Sequence, residues 1–383
     1  MNHPRPTKSR SARRQAARIL AALSAAGALT VAAACAPPPD TAVVDSAATV
    51  VDTSRGLVVD GERIAGAELL ATAKKEGSIS LYSGYIENSE KQVIKAFEHD
   101  TGIKVDLVRL VPNRLAERVL SEQGAGQLGA DVVRTSDYDI ATRMREAGVF
   151  QAHQVPGYER LDDTVRYHGG EFYRVFDPLY TFAYNTALVD KEDAPTSWND
   201  LNEARFKGDL GITQVGAGGS SLALTRFQED RLGPDYLPAL AGQQPRIFDS
   251  SSAALESLAR GEISVATAVV SSVNIAASKN APIDFVVPDE GMAAYDYFLG
   301  KASSAKHEAA AELFVDWNMS RRGQDVFRQI GEFPARSDVA PPKVLGHDLP
   351  TVRSGRVVRF EPKVLLGAAA ADQRRWLSLF GYL

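Results

Sequence analysis

The sequence predicts an α/β protein with more than one lobe, and three observations carry that prediction. The 383 residues are enough for two domains, or three, at about 150 residues each. From Gly77 onward the apolar pattern switches repeatedly between a period of two and a period of 3.6. The resulting strand–helix alternation is the order expected of parallel sheets flanked by helices. With 44% hydrophobic and 24% charged residues, the composition is that of an ordinary soluble domain. It excludes a polytopic membrane protein, a collagen, a disordered tail and a disulfide-stapled miniprotein.

The elements follow in order. Ser78–Ser83 reads as a strand, with Ile79 and Leu81 on one face, and Glu87–His99 as a helix turning Val93, Ile94 and Phe97 inward. Ile103–Leu110 alternates as a second strand, Asn113–Gln123 is helical through Leu115, Val119 and Leu120, and Ala130–Val133 is a short buried strand. A helix from Tyr138 to Ala147 ends at Gly148, a common helix terminator. Arg174 to Asn185 reads as one apolar, aromatic strand. A second α/β region comprises strands at Gly208–Thr213, Ile263–Val269 and Ile283–Val287, with helices at Ser220–Glu229, Ser252–Arg260 and Ser272–Ser278. Beyond Met292–Gly300, Ala310, Leu313, Phe314 and Trp317 mark an amphipathic helix, and Val364–Phe380 closes the chain.

The amino terminus reads as an address. Residues 1–34 carry six basic residues (Arg5, Lys8, Arg10, Arg13, Arg14 and Arg18) and no acidic one. The formal net charge of -5 therefore conceals an acidic body, which repels phosphate backbones and makes nucleic acid an unsuitable partner. The uncharged run Ile19–Ala34 spans only about 24 Å as a helix, short of a bilayer core of about 30 Å. A basic head, an apolar stretch and small residues describe a signal peptide at 1–34. Ala32-Ala33-Ala34-Cys35 resembles a bacterial lipobox, so the chain's single cysteine, Cys35, is the expected lipidation site. A membrane anchor with an incidental cysteine is the alternative, and either places the body outside the cytoplasm. Residues 35–65, opening Pro37-Pro38-Pro39, read as a lipid-anchored flexible tether; within it, Val58–Ile64 reads as a small hairpin turning on Asp60-Gly61.

A set of short segments then resembles one family. Leu81-Tyr82-Ser83-Gly84, Thr101-Gly102-Ile103-Lys104-Val105, Gly129-Ala130-Asp131-Val132-Val133, Ala183-Tyr184-Asn185-Thr186, Pro195-Thr196-Ser197-Trp198-Asn199-Asp200-Leu201 and Pro288-Asp289-Glu290-Gly291 occur in this order across about residues 66–340. They resemble the solute-binding proteins of bacterial ABC importers, in the iron(III)-binding-like branch of the type II periplasmic-binding fold. The resemblance implies two α/β lobes joined by two crossing strands with a ligand cleft between them: lobe 1 from residues 66–178 and 292–383, lobe 2 from 179–291. It also implies a hinged, monomeric binding protein that delivers a small molecule to a permease and its ATPase.

In open α/β sheets, ligands sit beyond the carboxyl ends of the strands, where helix N-termini offer N–H groups. Hydroxyls cluster at four such ends: Ser83-Gly84-Tyr85, Thr135-Ser136, Gly218-Gly219-Ser220-Ser221 and Ser271-Ser272. Each serine by itself is as well explained as a helix cap. The candidate ligand-binding residues are Ser83, Tyr85, Arg134, Ser136, Gly219, Ser220, Ser271, Ser272 and Tyr295. The iron-binding branch uses a Tyr-Tyr pair ten and eleven positions after its Gly-Glu, a His four beyond the first-strand Tyr and a Glu five beyond the Asp of Ala-Asp-Val. At those positions stand Ser271, Ser272, Ile86 and Ser136, none suited to a hard ferric ion. A different set from Tyr85, Tyr138, Tyr295 and Tyr297 stays open beside a plain packing role. Hydroxyls and helix N-termini favour an anion such as a phosphonate, phosphate ester or organic acid, with Arg134 as its expected partner; ferric complexes and cations are the alternatives.

Enzyme motifs are missing. There is no GxSxG, GxxxxGK[ST] or HExxH segment, Asp137-Tyr138-Asp139 matches DxD over only three residues, and the histidines are scattered. The expectation is a binding protein without cofactor or catalytic group. An extracytoplasmic enzyme and a sensory lipoprotein on the same scaffold are the other classes.

Overall fold

The computed structural model describes Met1, Val44 and residues 49–350 and 354–381. The chain divides into a unit of residues 1–41 and one of residues 42–383. The expected signal peptide (except Met1), Cys35 and the first part of the tether lie outside the described residues.

The tether ends earlier than expected. Strands β1 (Val51–Asp52), β2 (Gly56–Val59) and β3 (Glu62–Gly66) form an antiparallel meander. Its second turn is Asp60-Gly61, with φ of 48° and 82°, the paired positive values of a type I′ hairpin. Leu57, Val59 and Ile64 are buried, so this segment is part of the body rather than a flexible linker. Helix α1 (Ala67–Glu76) follows directly.

The first lobe then runs β4 (Ser78–Ser83), α2 (Glu87–Thr101), β5 (Lys104–Arg109), α3 (Pro112–Gly124), β6 (Val132–Ser136), α4 (Tyr138–Glu146), β7 (Arg166–Tyr167) and β8 (Phe172–Asp177). Strand β4 pairs in parallel with both β5 and β6, as the alternating order requires. The aromatic stretch expected as one strand is two. Pro178 separates β8 from β9 (Leu179–Asn185), and the two strands lie in different sheets. Every residue of both is buried, which is why the run shows no one-sided period.

The second lobe contains β10 (Leu210–Thr213), α5 (Gly219–Arg231), α6 (Tyr236–Gly242), β11 (Arg246–Phe248), α7 (Ser251–Ala259), β12 (Val265–Val269), α8 (Val270–Ser278), β13 (Ile283–Phe285) and β14 (Met292–Ala294). The chain recrosses at Tyr295-Asp296 into β15 (Tyr297–Lys301), which inserts antiparallel between β6 and β8. Helix α9 (Glu308–Met319) buries Ala310, Leu313, Phe314 and Trp317 as expected. Ala311 and Val315 are buried too, because α1 and β3 cover the face expected to be wet. Helix α10 (Arg321–Ile330) leads to β16 (Phe333–Pro334) at the edge of the lobe-1 sheet.

The chain crosses a third time. After a hairpin of β17 (Lys343–Val344) and β18 (His347–Asp348), β19 (Val357–Arg359) pairs in parallel with β14 at the edge of the lobe-2 sheet. Helix α11 (Pro362–Phe380) packs mainly on α5 and α6. Residues 292–294 and 357–380 therefore belong with lobe 2, not with lobe 1 as expected. The sheet orders are β16-β8-β15-β6-β4-β5 and β11-β10-β12-β9-β14-β19.

Candidate functional site

The carboxyl ends of β4, β6, β10 and β12 meet along the seam between the lobes. On one side, Asn113 at the start of α3 donates to the carbonyl oxygen of Gly216 at 3.4 Å. A Cβ on Gly218 would stand 3.4 Å from Pro112, at van der Waals distance, so the start of α5 lies directly against α3. On the other side, Asn274 of α8 donates to the carbonyl oxygen of Ile330 at 2.8 Å. A Cβ on Gly331, whose φ is 111°, would stand 3.4 Å from Cα of Ser271. Helices α3, α5 and α8 all begin at this seam; among the described residues α5 and α8 have no side-chain cap, whereas α3 opens on Pro112, which has no N–H, and its Arg114 N–H donates to Asn113 Oδ1 at 2.8 Å.

Between these contacts runs a row of tyrosines: the ring centroids are 5.1 Å apart for Tyr85 and Tyr297, 5.8 Å for Tyr297 and Tyr295, and 6.1 Å for Tyr295 and Tyr180. The Tyr297 hydroxyl donates to the carbonyl oxygen of Gly84 at 3.1 Å, and Tyr85 donates to Glu332. Glu332 is fully buried, and among the described residues its other carboxylate oxygen, near the Ser271 hydroxyl, has no hydrogen-bond partner of good geometry. Burial pushes its carboxyl up to about 7, against the opposing effect of the Ser271 and Tyr85 hydroxyls. Burial and the nearby Glu332 charge together raise Tyr85 well above the ordinary phenol range.

A cavity of about 120 Å³ opens beside Tyr295, walled by Asp137, Tyr138, Leu222, Asp296 and Phe360 among others. Asp137 caps α4, one carboxylate oxygen accepting the Asp139 N–H at 2.9 Å. Its φ of 79° lies in the left-handed region, and burial pushes its carboxyl up to about 6. Among the described residues there is no cluster of three His, Cys, Asp or Glu groups able to hold a metal ion.

The structure distributes the expected site residues unevenly. Arg134 is not available to a ligand: it is fully buried within lobe 1, 2.5 Å from both Glu90 Oε1 and Asn318 Oδ1, and surrounded by the rings of Phe176, Phe314 and Phe327. Ser83 is also committed inside the lobe, donating to Glu90 Oε2 at 2.5 Å and accepting the Tyr85 N–H at 3.0 Å. Ser136, fully in line with Tyr297 across the β6–β15 pairing, lies beside the tyrosine row with Tyr85 and Ser271. Ser272 turns away from its neighbour into a separate groove with Ile86, Asn88 and Leu255. Gly219 and Ser220 form the first turn of α5, and Tyr295 lines the cavity. Tyr138 sits at the cavity rather than with Tyr85, Tyr295 and Tyr297, packed on Tyr167, Phe172 and Phe298.

Sequence reasoning passed over Glu332, Tyr180 and Asn274, and treated Asp137 as part of a chance motif. Glu332 is 247 positions from Tyr85, so no local spacing could have joined them. Asp137 stands after a strand and before a helix, a position that could have flagged it.

Comparison with known proteins gives a consistent result. The family described as bacterial extracellular solute-binding protein matches residues 130–351. The spermidine/putrescine-binding periplasmic protein 1 of Haemophilus influenzae is 26% identical over 269 residues, covering 66% of this chain and 73% of that protein. The periplasmic binding protein AfuA of Actinobacillus pleuropneumoniae, solved with fructose-6-phosphate, superposes with a TM-score of 0.67 at 19% identity, over 80% of this chain and 99% of that one. Iron-bound HitA of Pseudomonas aeruginosa gives 0.61 at 20% identity, over 78% and 99%. These likenesses establish the type II periplasmic-binding fold.

Proposed function

The chain belongs to the bacterial extracellular solute-binding proteins, and from this we propose that it is a lipoprotein, anchored through Cys35, that captures a small anionic solute and presents it to an ABC permease. A phosphate ester, phosphonate or organic acid is the class intended. The observation that carries the reading is the convergence of two helices, α5 and α8, whose first N–H groups reach the seam with no side-chain cap among the described residues. Helix N-termini attract anions through those N–H groups and the positive end of the helix dipole. Ser221, only 4% exposed at the start of α5, keeps a hydroxyl without a hydrogen-bond partner among the described residues. Arg134 has no part in the site, so backbone and hydroxyl groups hold the anion. The likeness to AfuA, solved with a sugar phosphate, supports the class.

A ferric ligand is the second reading, favoured by one observation: Tyr85, Tyr295, Tyr297 and Glu332 gather hard oxygen donors at the seam. A thermal-shift series on the full-length protein in detergent separates the two. Phosphate esters and phosphonates are expected to raise the midpoint, and ferric citrate to leave it unchanged and to add no phenolate–iron band to its own absorption. A visible phenolate–iron band with a ferric-only shift would replace the anion reading with the second.

A further inference from the structure

We propose that the solute also carries a protonated amine, held in the interlobe cavity by Asp137, so that the ligand class is a small amino-alkyl phosphate or phosphonate. This rests on the anion reading above and adds its second end. The cavity has three carboxylates on its wall, Asp137, Asp139 and Asp296. Two of them are already neutralised: Asp296 is held by Arg359 through two contacts of 2.6 and 2.7 Å, and Asp139 pairs with Arg143 at 3.0 Å. Asp137 forms no ion pair among the described residues, and there its carboxylate accepts a single hydrogen bond, from the Asp139 N–H of its own helix. One carboxylate without an ion pair of its own, with Arg143 acting on it only from a distance, therefore lines a half-enclosed space.

The rest of the wall is aliphatic (Leu222, Pro362 and Leu365 among others) and aromatic, and its aromatic part suits an ammonium group. Tyr138, Tyr295 and Phe360 offer aromatic surface, which attracts cations through the negative ring faces. Tyr295 is 5% exposed, yet its hydroxyl makes no hydrogen bond among the described residues, leaving an acceptor at the cavity. The backbone of Asp137 sits at a φ that few residues other than glycine adopt, a cost that a purely capping side chain does not require. Leu222, which lines the same cavity, immediately follows Ser221 of the α5 amino end. An anion at that helix end and a cation at Asp137 are thus neighbours, and a plain anion reaching into the cavity would meet the Asp137 charge. About 120 Å³ holds roughly four water-sized groups, enough for an aminoethyl arm.

The test is calorimetric titration of the full-length protein in detergent with O-phosphoethanolamine, ethyl phosphate and 1,4-diaminobutane, repeated on Asp137→Asn. Asparagine keeps the helix cap and tolerates the positive φ, so the variant retains its fold. The expected result is that phosphoethanolamine binds about tenfold more tightly than ethyl phosphate, a preference that Asp137→Asn abolishes by weakening phosphoethanolamine, with ethyl phosphate bound no more weakly than before. Equal binding of the two phosphates by the unmodified protein overturns the amine site and leaves the anion reading intact. Binding of diaminobutane alone, lost in Asp137→Asn, supports the amine site and removes the anion reading. A protein that binds none of the three overturns the proposal.

Discussion

Asn274, in the second turn of α8, bonds the carbonyl oxygen of Ile330 at 2.8 Å, fastening a lobe-2 helix to the last turn of a lobe-1 helix. A second contact reaches the carbonyl oxygen of Gln329 at 3.3 Å. Such a contact favours the closed arrangement over an open one by about 1 kcal/mol. Asn274→Ala is expected to enlarge the radius of gyration of the ligand-free protein in small-angle scattering. An unchanged radius would mean that this bond does not control closure.

Glu332 links stability to pH. Its carboxyl is raised from 4.5 to about 7 by burial, so between those values the folded protein holds a proton that the unfolded chain has released. Stability therefore falls as pH rises from about 4.5 to about 7 and levels off above that. Glu332→Gln keeps an acceptor for Tyr85 and removes this dependence. The variant is expected to melt several degrees higher than the parent at pH 8 and close to it at pH 5. Parallel melting curves across the whole range would show that Glu332 does not titrate in this way.

Arg134 is a structural cation. Removing one member of a fully buried ion pair typically costs about 3–5 kcal/mol, because the partner charge, here Glu90, remains buried alone. Arg134→Met is expected to lower the unfolding midpoint sharply while the folded fraction binds phosphate compounds within about twofold of the parent. A selective loss of affinity with normal stability would return Arg134 to the site.

The meander bears on where the body begins. A protein starting at Gly66 loses β1, β2 and all of β3 but its last residue, and with them buried Leu57, Val59 and Ile64. Each fully buried side chain of this kind contributes about 1.5–3 kcal/mol before ordering costs. A protein starting at Gly66 is expected to melt several degrees below one starting at Thr49; equal midpoints would show that the meander contributes no stability.

Much of the scaffold was legible because it depends on local period. Strand β4 falls at Ser78–Ser83 as read, and the Asp60-Gly61 turn appears where its dipeptide predicts a hairpin. The misreadings share a physical cause. Short strands such as Val51–Asp52 are too brief to show a period, and the run from Arg174 to Asn185 is buried on both faces, so nothing but Pro178 marked its division. Of the site, strand-end hydroxyls were visible, but their direction was not. Ser271 and Ser272 are adjacent in sequence and face different spaces, and Arg134 is neutralised by Glu90, 44 positions away. Such pairings are made by the tertiary fold and leave no trace in spacing.

The third passage of the backbone, between Pro334 and Val357, ties the outer rims of the two sheets together. Two ribbons side by side let the halves swivel as well as swing, whereas a third, fixed at the margin, suppresses the swivel. Motion about such a frame is expected to follow a single arc, like a jaw rather than a ball joint. A transporter that docks on such a jaw needs to push in only one direction to empty it.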